Sequence, residues 1–139
     1  MTCPFCDSIK TKQERILKET ERAFVILSNP RLMRGHALII PKRHVGRLVE
    51  LRDEERKELL DMVVEFEEKI LKHIAPGCDL RQNYRPFIPQ NDLKIDHFHF
   101  HLQPRSLNDE FYTKVNQFDK PLFRPLPQNE ADEVAKLLV

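Results

Sequence analysis

Glycine and tryptophan are scarce in this chain. Of 139 residues only three are glycine and none is tryptophan, whereas ten are proline. Few glycines and many prolines predict stiff connections between the regular elements. The longest purely apolar run, Ala23–Leu27, is far too short to cross a bilayer, and no secretory signal opens the chain. We therefore expect neither a membrane-spanning segment nor a leader peptide.

Cysteine is rare as well, and neither sign of charge dominates. Three cysteines are an odd number, which argues against a disulfide framework and, without an export signal, favours the reducing cytoplasm. The net charge is +1 and no basic stripe with interleaved aromatic residues is present, so nucleic acid is not an expected partner. The composition, 32% charged and 40% hydrophobic, is that of an ordinary globular chain.

Histidine, in contrast, is concentrated in one place. Three of the six histidines fall within Ile95–Arg105, at positions 97, 99 and 101. In a strand, side chains alternate between two faces, so these three share one face while the intervening apolar residues anchor the other. A row of neutral imidazoles suits nucleophilic or acid–base chemistry, or metal ligation. The alternative is a solvated edge strand rich in histidine, which predicts no matching partners elsewhere.

Such partners are present elsewhere in the chain. Cys3 and Cys6 form a C-x-x-C pair that could chelate zinc; the alternative is a frayed N-terminus with two idle thiols. His36 and His44 lie at the entrance and just past the exit of a predicted strand. A single histidine at a strand end is usually a surface residue, but the presence of two histidines at the two ends of one strand favours a functional role for them.

The hydrophobic pattern predicts an α+β fold with a mostly antiparallel sheet and one long helix packed on it. Apolar residues at helical spacing place that helix from Asp53 to about Ile74. The predicted strands are Glu14–Glu19, Ala23–Leu27, Gly35–His44, Asp79–Tyr84 and the histidine strand within Ile95–Arg105. Further on, Phe111–Phe118 is interpreted as a short helix or strand, Pro121–Pro127 as irregular and Glu130–Leu138 as a final helix. We predict one domain over residues 1–139, with a core at 3–105 and a C-terminal extension at 106–139.

Together these residues resemble the histidine triad (HIT) superfamily, whose signature is His-φ-His-φ-His-φ-φ with φ apolar. His97–Gln103 followed by Pro104-Arg105 is similar to the branch containing the fragile-histidine-triad and bacterial histidine triad hydrolases. The resemblance extends upstream through Gly35-His36, Pro41–His44 and the cysteine pair, so it covers roughly residues 3 to 105. It implies a HIT-like α+β domain that often pairs into a homodimer.

The resemblance also implies chemistry at a nucleotide α-phosphate. His99 would attack phosphorus and form a nucleotidyl-histidine that water or another acceptor resolves. His101 would contact the phosphate or the leaving oxygen, and His36 would approach from the neighbouring strand. The implied substrates are a dinucleoside polyphosphate or a nucleoside phosphoramidate. The alternatives are a nucleotidyltransferase or phosphorylase, and a non-catalytic nucleotide-binding module; the third histidine favours hydrolysis, because transferase branches usually carry glutamine there.

Zinc-bearing members and the related galactose-1-phosphate uridylyltransferases bind the metal through a C-x-x-C pair, a histidine after the third strand and the first triad histidine. The matching residues here are Cys3, Cys6, His44 and His97. Two thiolates and two imidazoles make a closed tetrahedral set, which is typical of a structural zinc site.

Four amide side chains are expected to contact substrate: Asn29, Asn83, Gln90 and Gln103. Asn83 matches a family asparagine beside the phosphate, and either Ser28 or Asn29 could hold the ribose. Gln103 replaces an apolar residue of the signature and by parity joins the histidine face. Many members carry Gly-Gln or Gly-Ser where this chain has Asp92-Leu93-Lys94, so Gln90 or Lys94 could replace the usual donor.

Overall fold

The fold is seen in a computed structural model that describes residues 2–11, 14–115 and 120–139. The chain divides into two compact units, residues 1–107 and 108–139. The first unit ends close to the predicted end of the core. A single domain spanning the whole chain stays a prediction.

The first unit is built on one five-stranded sheet. Its strands are β1 (Ile16–Glu19), β2 (Ala23–Leu27), β3 (Ala37–Pro41), β4 (Gly77–Arg81) and β5 (Phe100–Arg105). Their order across the sheet is β1-β2-β3-β5-β4, and every neighbouring pair is antiparallel. The predicted α+β class with a mostly antiparallel sheet is therefore confirmed.

Two helices accompany this sheet, α1 (Pro4–Thr11) and α2 (Asp53–His73), with a 3-10 turn at Leu48–Glu50 before α2. The apolar stripe of α2 packs into a core with one face of the sheet, through Leu59, Met62, Val63, Phe66 and Ile70. Phe5 of α1 packs in a second cluster with apolar residues of β2 and β3. Among the described residues, no helix is long and apolar enough to span a membrane.

The second unit contains α3 (Glu110–Lys114), a 3-10 turn at Lys120–Leu122 and α4 (Gln128–Leu138). The prediction of a final helix at Glu130–Leu138 agrees with α4 apart from its first two residues. The predicted element Phe111–Phe118 corresponds in part to α3, and its last residues lie outside the described ones. Of the range Pro121–Pro127, which was predicted to be irregular, Pro121 and Leu122 belong to the 3-10 turn and the remaining residues are irregular.

Several strand ends differ from the sequence prediction. β3 is confined to Ala37–Pro41, and Glu14 and Arg15 form a turn before β1. β4 lies earlier than predicted, because Gly77 already pairs with Arg105 in the ladder with β5. A Cβ atom at Gly77 would lie 3.2 Å from the Arg105 carbonyl oxygen, so a residue without a side chain suits the start of this strand. Consequently Asn83 follows β4 instead of belonging to it.

A buried carboxylate holds the loop between β3 and α2 in place. Glu55 is only 4% exposed and accepts hydrogen bonds from Arg43 Nε at 3.1 Å, from an Arg43 terminal nitrogen at 2.7 Å and from the Arg52 backbone N–H at 2.8 Å. The same Arg43 nitrogen donates to the Glu50 carbonyl at 2.7 Å. The residue after Arg43 is His44, so this network restrains the chain on either side of a candidate metal ligand.

We expect Glu55→Gln to lower the free energy of unfolding by about 1–3 kcal/mol, because a buried charge-assisted network loses its anion. The hydrogen bonds from Arg43 lower the pKa of Glu55 below its ordinary value of 4.5. Its contribution should therefore be complete above that value and be lost as the pH falls through the depressed pKa. Urea unfolding at several pH values measures both effects.

The matched control is Glu54→Gln, since Glu54 is the exposed neighbour in the same helical turn. It should change stability by no more than about 0.5 kcal/mol. Equal losses in the two variants would show that the buried network contributes nothing specific.

Candidate functional site

Four side chains from three segments meet beside the end of β3. One ligand atom from each of Cys3, Cys6, His44 and His97 lies within 4.8 Å of all the others. His97 Nδ1 is 3.1 Å from His44 Nδ1, 3.3 Å from Cys3 Sγ and 3.7 Å from Cys6 Sγ. Tetrahedral zinc with ordinary bond lengths separates its ligand atoms by roughly 3.3–3.8 Å. The donor set and its spacing thus fit zinc without rearrangement of the backbone.

The orientation of the His97 ring is set by its other nitrogen. Nε2 lies 2.8 Å from the Pro41 carbonyl oxygen and donates to it, so the lone pair is on Nδ1, facing the other three ligands. Burial is the main cause that lowers the pKa of His97 to about 4, which keeps the ring neutral. Burial and the neighbouring Cys3 raise the pKa of the Cys6 thiol. A divalent cation bound between the two sulfur atoms would offset the electrostatic repulsion between two thiolates.

His99 is held by a comparable contact, two residues later in the chain. Its Nδ1 donates to the His97 carbonyl oxygen at 2.7 Å, which leaves the lone pair on Nε2. Burial lowers the pKa of His99 below its ordinary value, which favours the neutral ring with its one proton on Nδ1. A neutral imidazole with a fixed tautomer and an available nitrogen is a competent nucleophile.

His101 and His36 form a hydrogen-bonded pair whose direction can be deduced. The Leu32 backbone N–H donates to His36 Nδ1 at 3.1 Å, so the neutral His36 ring carries its proton on Nε2. That nitrogen lies 3.0 Å from His101 Nδ1 and donates to it. The proton of His101 is therefore on Nε2. Burial is the main cause that lowers the pKa of His36 to about 4 and that of His101 to about 3.

The three triad histidines are not all in the strand, which corrects the sequence prediction. β5 begins at Phe100, and His97 and His99 precede it. The reason is that the Phe98 N–H donates to the Val45 carbonyl at 2.7 Å and not to the ladder with β3. The alternation of faces persists nevertheless. Phe98 packs in the core with α2, whereas His99 contacts the ring of His101 with a centroid separation of 4.7 Å.

A cavity of about 380 Å³ opens beside His36, His99 and His101. Part of its lining is apolar and includes Phe5, Ile26 and Leu38. The charged residues in its lining, among the described part of the chain, are four arginines and one aspartate: Arg15, Arg31, Arg81, Arg85 and Asp92. The local excess of positive charge contrasts with a nearly neutral chain and suits a ligand with one apolar part and one anionic part.

Three of the four amides expected to contact substrate line this cavity, namely Asn29, Asn83 and Gln103. Gln103 is 4% exposed, and among the described residues its Oε1 has no hydrogen-bond partner. Gln90 is not in the lining. Its amide instead accepts from the Asp96 N–H at 3.0 Å and donates to the Thr2 carbonyl at 3.3 Å, which braces the segment before His97. Lys94 is likewise engaged, by the Ile88 carbonyl and Asp96.

Sequence reasoning missed α1 and, with it, Phe5. The ring of Phe5 meets the imidazoles of His97 and His99 edge-on, with centroid separations of 5.7 and 5.0 Å. A signal for this helix was present, because Pro4 suits a first helical position and Asp7 suits the first turn.

Comparisons with known proteins find relatives of this sequence and of this fold. The family model of the HIT domain matches residues 10–108. The adenosine 5'-monophosphoramidase of Schizosaccharomyces pombe is 34% identical over 117 residues, which span 80% of this chain and 79% of that protein. A HIT family protein from Bacillus anthracis superposes with a TM-score of 0.76 at 22% identity, over 99% of this chain and 94% of that one. A zinc-bound histidine triad protein from Mycobacterium smegmatis superposes with a TM-score of 0.68 at 24% identity, over 94% and 87%.

Proposed function

This chain belongs to the HIT domain family, and from that membership we propose that it is a hydrolase that cleaves nucleotides at the α-phosphate through a nucleotidyl-histidine. The observation that carries the proposal is the pair of fixed tautomers. His99 presents a lone pair on Nε2, whereas His101 presents a proton on Nε2, and both rings line the cavity. A nucleophile and, in contact with it, a hydrogen-bond donor for the leaving group or the phosphoryl oxygens are two groups that such a displacement uses.

In the first step His99 Nε2 attacks the α-phosphorus, and the bond from phosphorus to the leaving group breaks. The leaving oxygen or nitrogen takes the bond electrons, accepts a hydrogen bond from the N–H of His101 Nε2 and takes its proton from solvent water. In the second step a water molecule attacks phosphorus, the bond from phosphorus to His99 Nε2 breaks with its electrons returning to that nitrogen, and the water proton passes to the solvent. The nucleoside monophosphate is released, His99 returns to its first state, and His101 keeps its proton throughout. His36 donates to His101 Nδ1 throughout and holds the ring in the required orientation.

The cavity wall supports an anionic substrate. Arg81 pairs in register with His101 across β4 and β5, and both side chains line the cavity. Asn83 lies two residues after Arg81 and offers an uncharged donor to the same cavity. Donors and cations placed in advance stabilise the charge that develops on the phosphoryl oxygens. The apolar part of the wall would accept the nucleoside.

Zinc, when bound by Cys3, Cys6, His44 and His97, would supply a structural cross-link. With four protein ligands it keeps no open position for water or substrate. The chemical steps above depend on His99 and His101 alone. Self-association and a cytoplasmic location stay predictions from the sequence.

Two observations, the name of a relative and the charge of the cavity, each favour a substrate class. The fission-yeast relative is named an adenosine 5'-monophosphoramidase, which favours a nucleoside phosphoramidate. The arginines of the cavity favour a dinucleoside polyphosphate, whose leaving group is itself anionic. Both classes present the same α-phosphorus to His99.

We expect the purified protein to release adenosine monophosphate from adenosine phosphoramidate, from a dinucleoside polyphosphate, or from both. Chromatography of the products measures it. Parallel reactions with added inorganic phosphate or a sugar phosphate test transfer, because a transferase would form a new nucleotide at the expense of the monophosphate. Tight nucleotide binding without any turnover would make the protein a binding module and contradict the proposal.

A further inference from the structure

Phe5 occupies a place that links the candidate metal centre to the candidate nucleophile. It is 6% exposed, although it is the second residue of an eight-residue helix near the start of the chain. Its ring meets His97 at an interplanar angle of 82° and His99 at 75°. Phe5 also lines the cavity with its neighbour Pro4. One aromatic side chain thus contacts a metal ligand, the nucleophile and the substrate space.

The edge-on contact complements the hydrogen bond that holds His99. The bond from Nδ1 to the His97 carbonyl fixes one edge of the imidazole, but a single bond still permits rotation of the ring about it. The Phe5 ring, 5.0 Å away between centroids, blocks one direction of that rotation. Aromatic rings in this arrangement attract each other weakly and exclude each other's volume. The two contacts together define where Nε2 points.

The position of Phe5 depends in turn on the cysteines that flank it. The helix is held internally by bonds such as that from the Asp7 N–H to the Cys3 carbonyl at 3.0 Å. An eight-residue helix is too short to be stable alone. Cys3 and Cys6 would bind its first turn to His44 and His97 through the metal. Phe5 lies between these two ligands, so the metal would fix it from both sides.

We propose that Phe5 is a positioning residue for His99 and that metal bound at Cys3, Cys6, His44 and His97 holds Phe5 in its place. This inference rests on the proposed function, because it takes His99 as the nucleophile. The metal would then govern the rate of nucleotidyl transfer to His99 without taking part in the chemistry. A nucleophile displaced by about 1 Å can lose on the order of a hundredfold in rate.

The first test compares Phe5→Leu with Phe24→Leu. Phe24 is 1% exposed and belongs to the same apolar cluster as Phe5, so both variants remove a similar side-chain volume from that cluster. We expect Phe5→Leu to lower kcat about tenfold with KM within about threefold, since the nucleophile moves while the substrate still binds. Phe24→Leu should lower Tm and leave kcat within about twofold of the wild type.

Two results would overturn the assignment of Phe5. A raised KM with unchanged kcat in Phe5→Leu would make Phe5 a cavity wall only. An equal loss of kcat in Phe24→Leu would show that the loss in Phe5→Leu comes from weaker packing of the apolar cluster and not from a displaced His99. A wild type that turns over no nucleotide would instead remove the proposed function, and the second test still measures the link between Phe5 and the metal.

The second test removes zinc with a chelator and follows amide hydrogen exchange. Exchange in Pro4–Thr11 should accelerate after zinc removal, while exchange in the middle of α2 should change little. Single-turnover labelling of His99 should slow by about the same factor as in Phe5→Leu, and zinc removal should slow that variant much less. If the amides of α1 keep their protection from exchange after zinc removal, the coupling between the metal and Phe5 is contradicted. The same conclusion follows if chelation slows the labelling rate of Phe5→Leu by the same factor as that of the wild type.

Discussion

Replacement of His99 by alanine is expected to lower kcat by about three orders of magnitude or more, because the proposed covalent route loses its nucleophile. His99 lies in the cavity with its Nε2 lone pair available. Nucleotide binding should survive, since the apolar wall and the arginines are untouched. Steady-state kinetics combined with calorimetric titration of the monophosphate separates the two effects.

The chain offers a matched control in His73. This histidine is exposed in the last turn of α2 and is absent from the cavity lining. His73→Ala should retain kcat within about twofold. Acid-labile labelling of the protein by a substrate labelled at the α-phosphate should occur in the wild type and the His73 variant but not in His99→Ala. Turnover by His99→Ala within about tenfold of the wild type would refute the covalent mechanism.

Loss of the metal centre is expected to have the second large effect, on stability. Cys3→Ser and Cys6→Ser should each lower the free energy of unfolding by about 2–4 kcal/mol, which corresponds to a fall of roughly 6–15 °C in Tm. The reason is that the four ligands join segments 38 to 94 residues apart in sequence. Their cross-link removes the entropy of long loops from the unfolded chain. Calorimetry and elemental analysis of freshly purified protein, with one zinc per chain expected, measure the effect.

Cys78→Ser is the control for the thiol itself. Cys78 is free, lies in β4 and does not belong to the cluster of four candidate metal ligands. Burial is the main cause that raises its pKa to about 11, so it behaves as a small apolar residue and should leave the zinc content unchanged. Activity at low temperature should fall less in the Cys3 and Cys6 variants than in His99→Ala. Protein without zinc, or full stability with activity abolished, would contradict a structural role.

The local pattern of residues was sufficient to predict much of the scaffold. β2 has the predicted bounds Ala23–Leu27, and α2 ends one residue before its predicted end. The burial of a wholly apolar strand and of a helix with one apolar stripe can be predicted from the sequence, because the strand is buried on both faces and the helix on one. The parity of positions 97 to 101 likewise predicted which side chains share a face, and the structure places the histidines on the side opposite to Phe98.

Other features were decided by contacts between distant segments. The strand starts at Phe100 because the Phe98 N–H pairs with Val45, and no pattern near residue 98 records that partner. Gln103 lines the cavity while Gln90 braces the segment before His97, although both are glutamines near the triad. The sheet register determines which side chain faces the cavity.

The chemistry of the site depends on tertiary structure in the same way. A neutral histidine has two tautomers, and only a hydrogen-bond partner on one ring nitrogen decides whether the other nitrogen offers a lone pair or an N–H donor. That partner is the His97 carbonyl for His99, and Leu32 acting through His36 for His101. Phe5 reaches His99 from 94 residues away in sequence because α1 packs over the sheet. The periodicity of apolar residues in the sequence predicts which side chains are buried, whereas the packing of distant segments decides which side chains they contact.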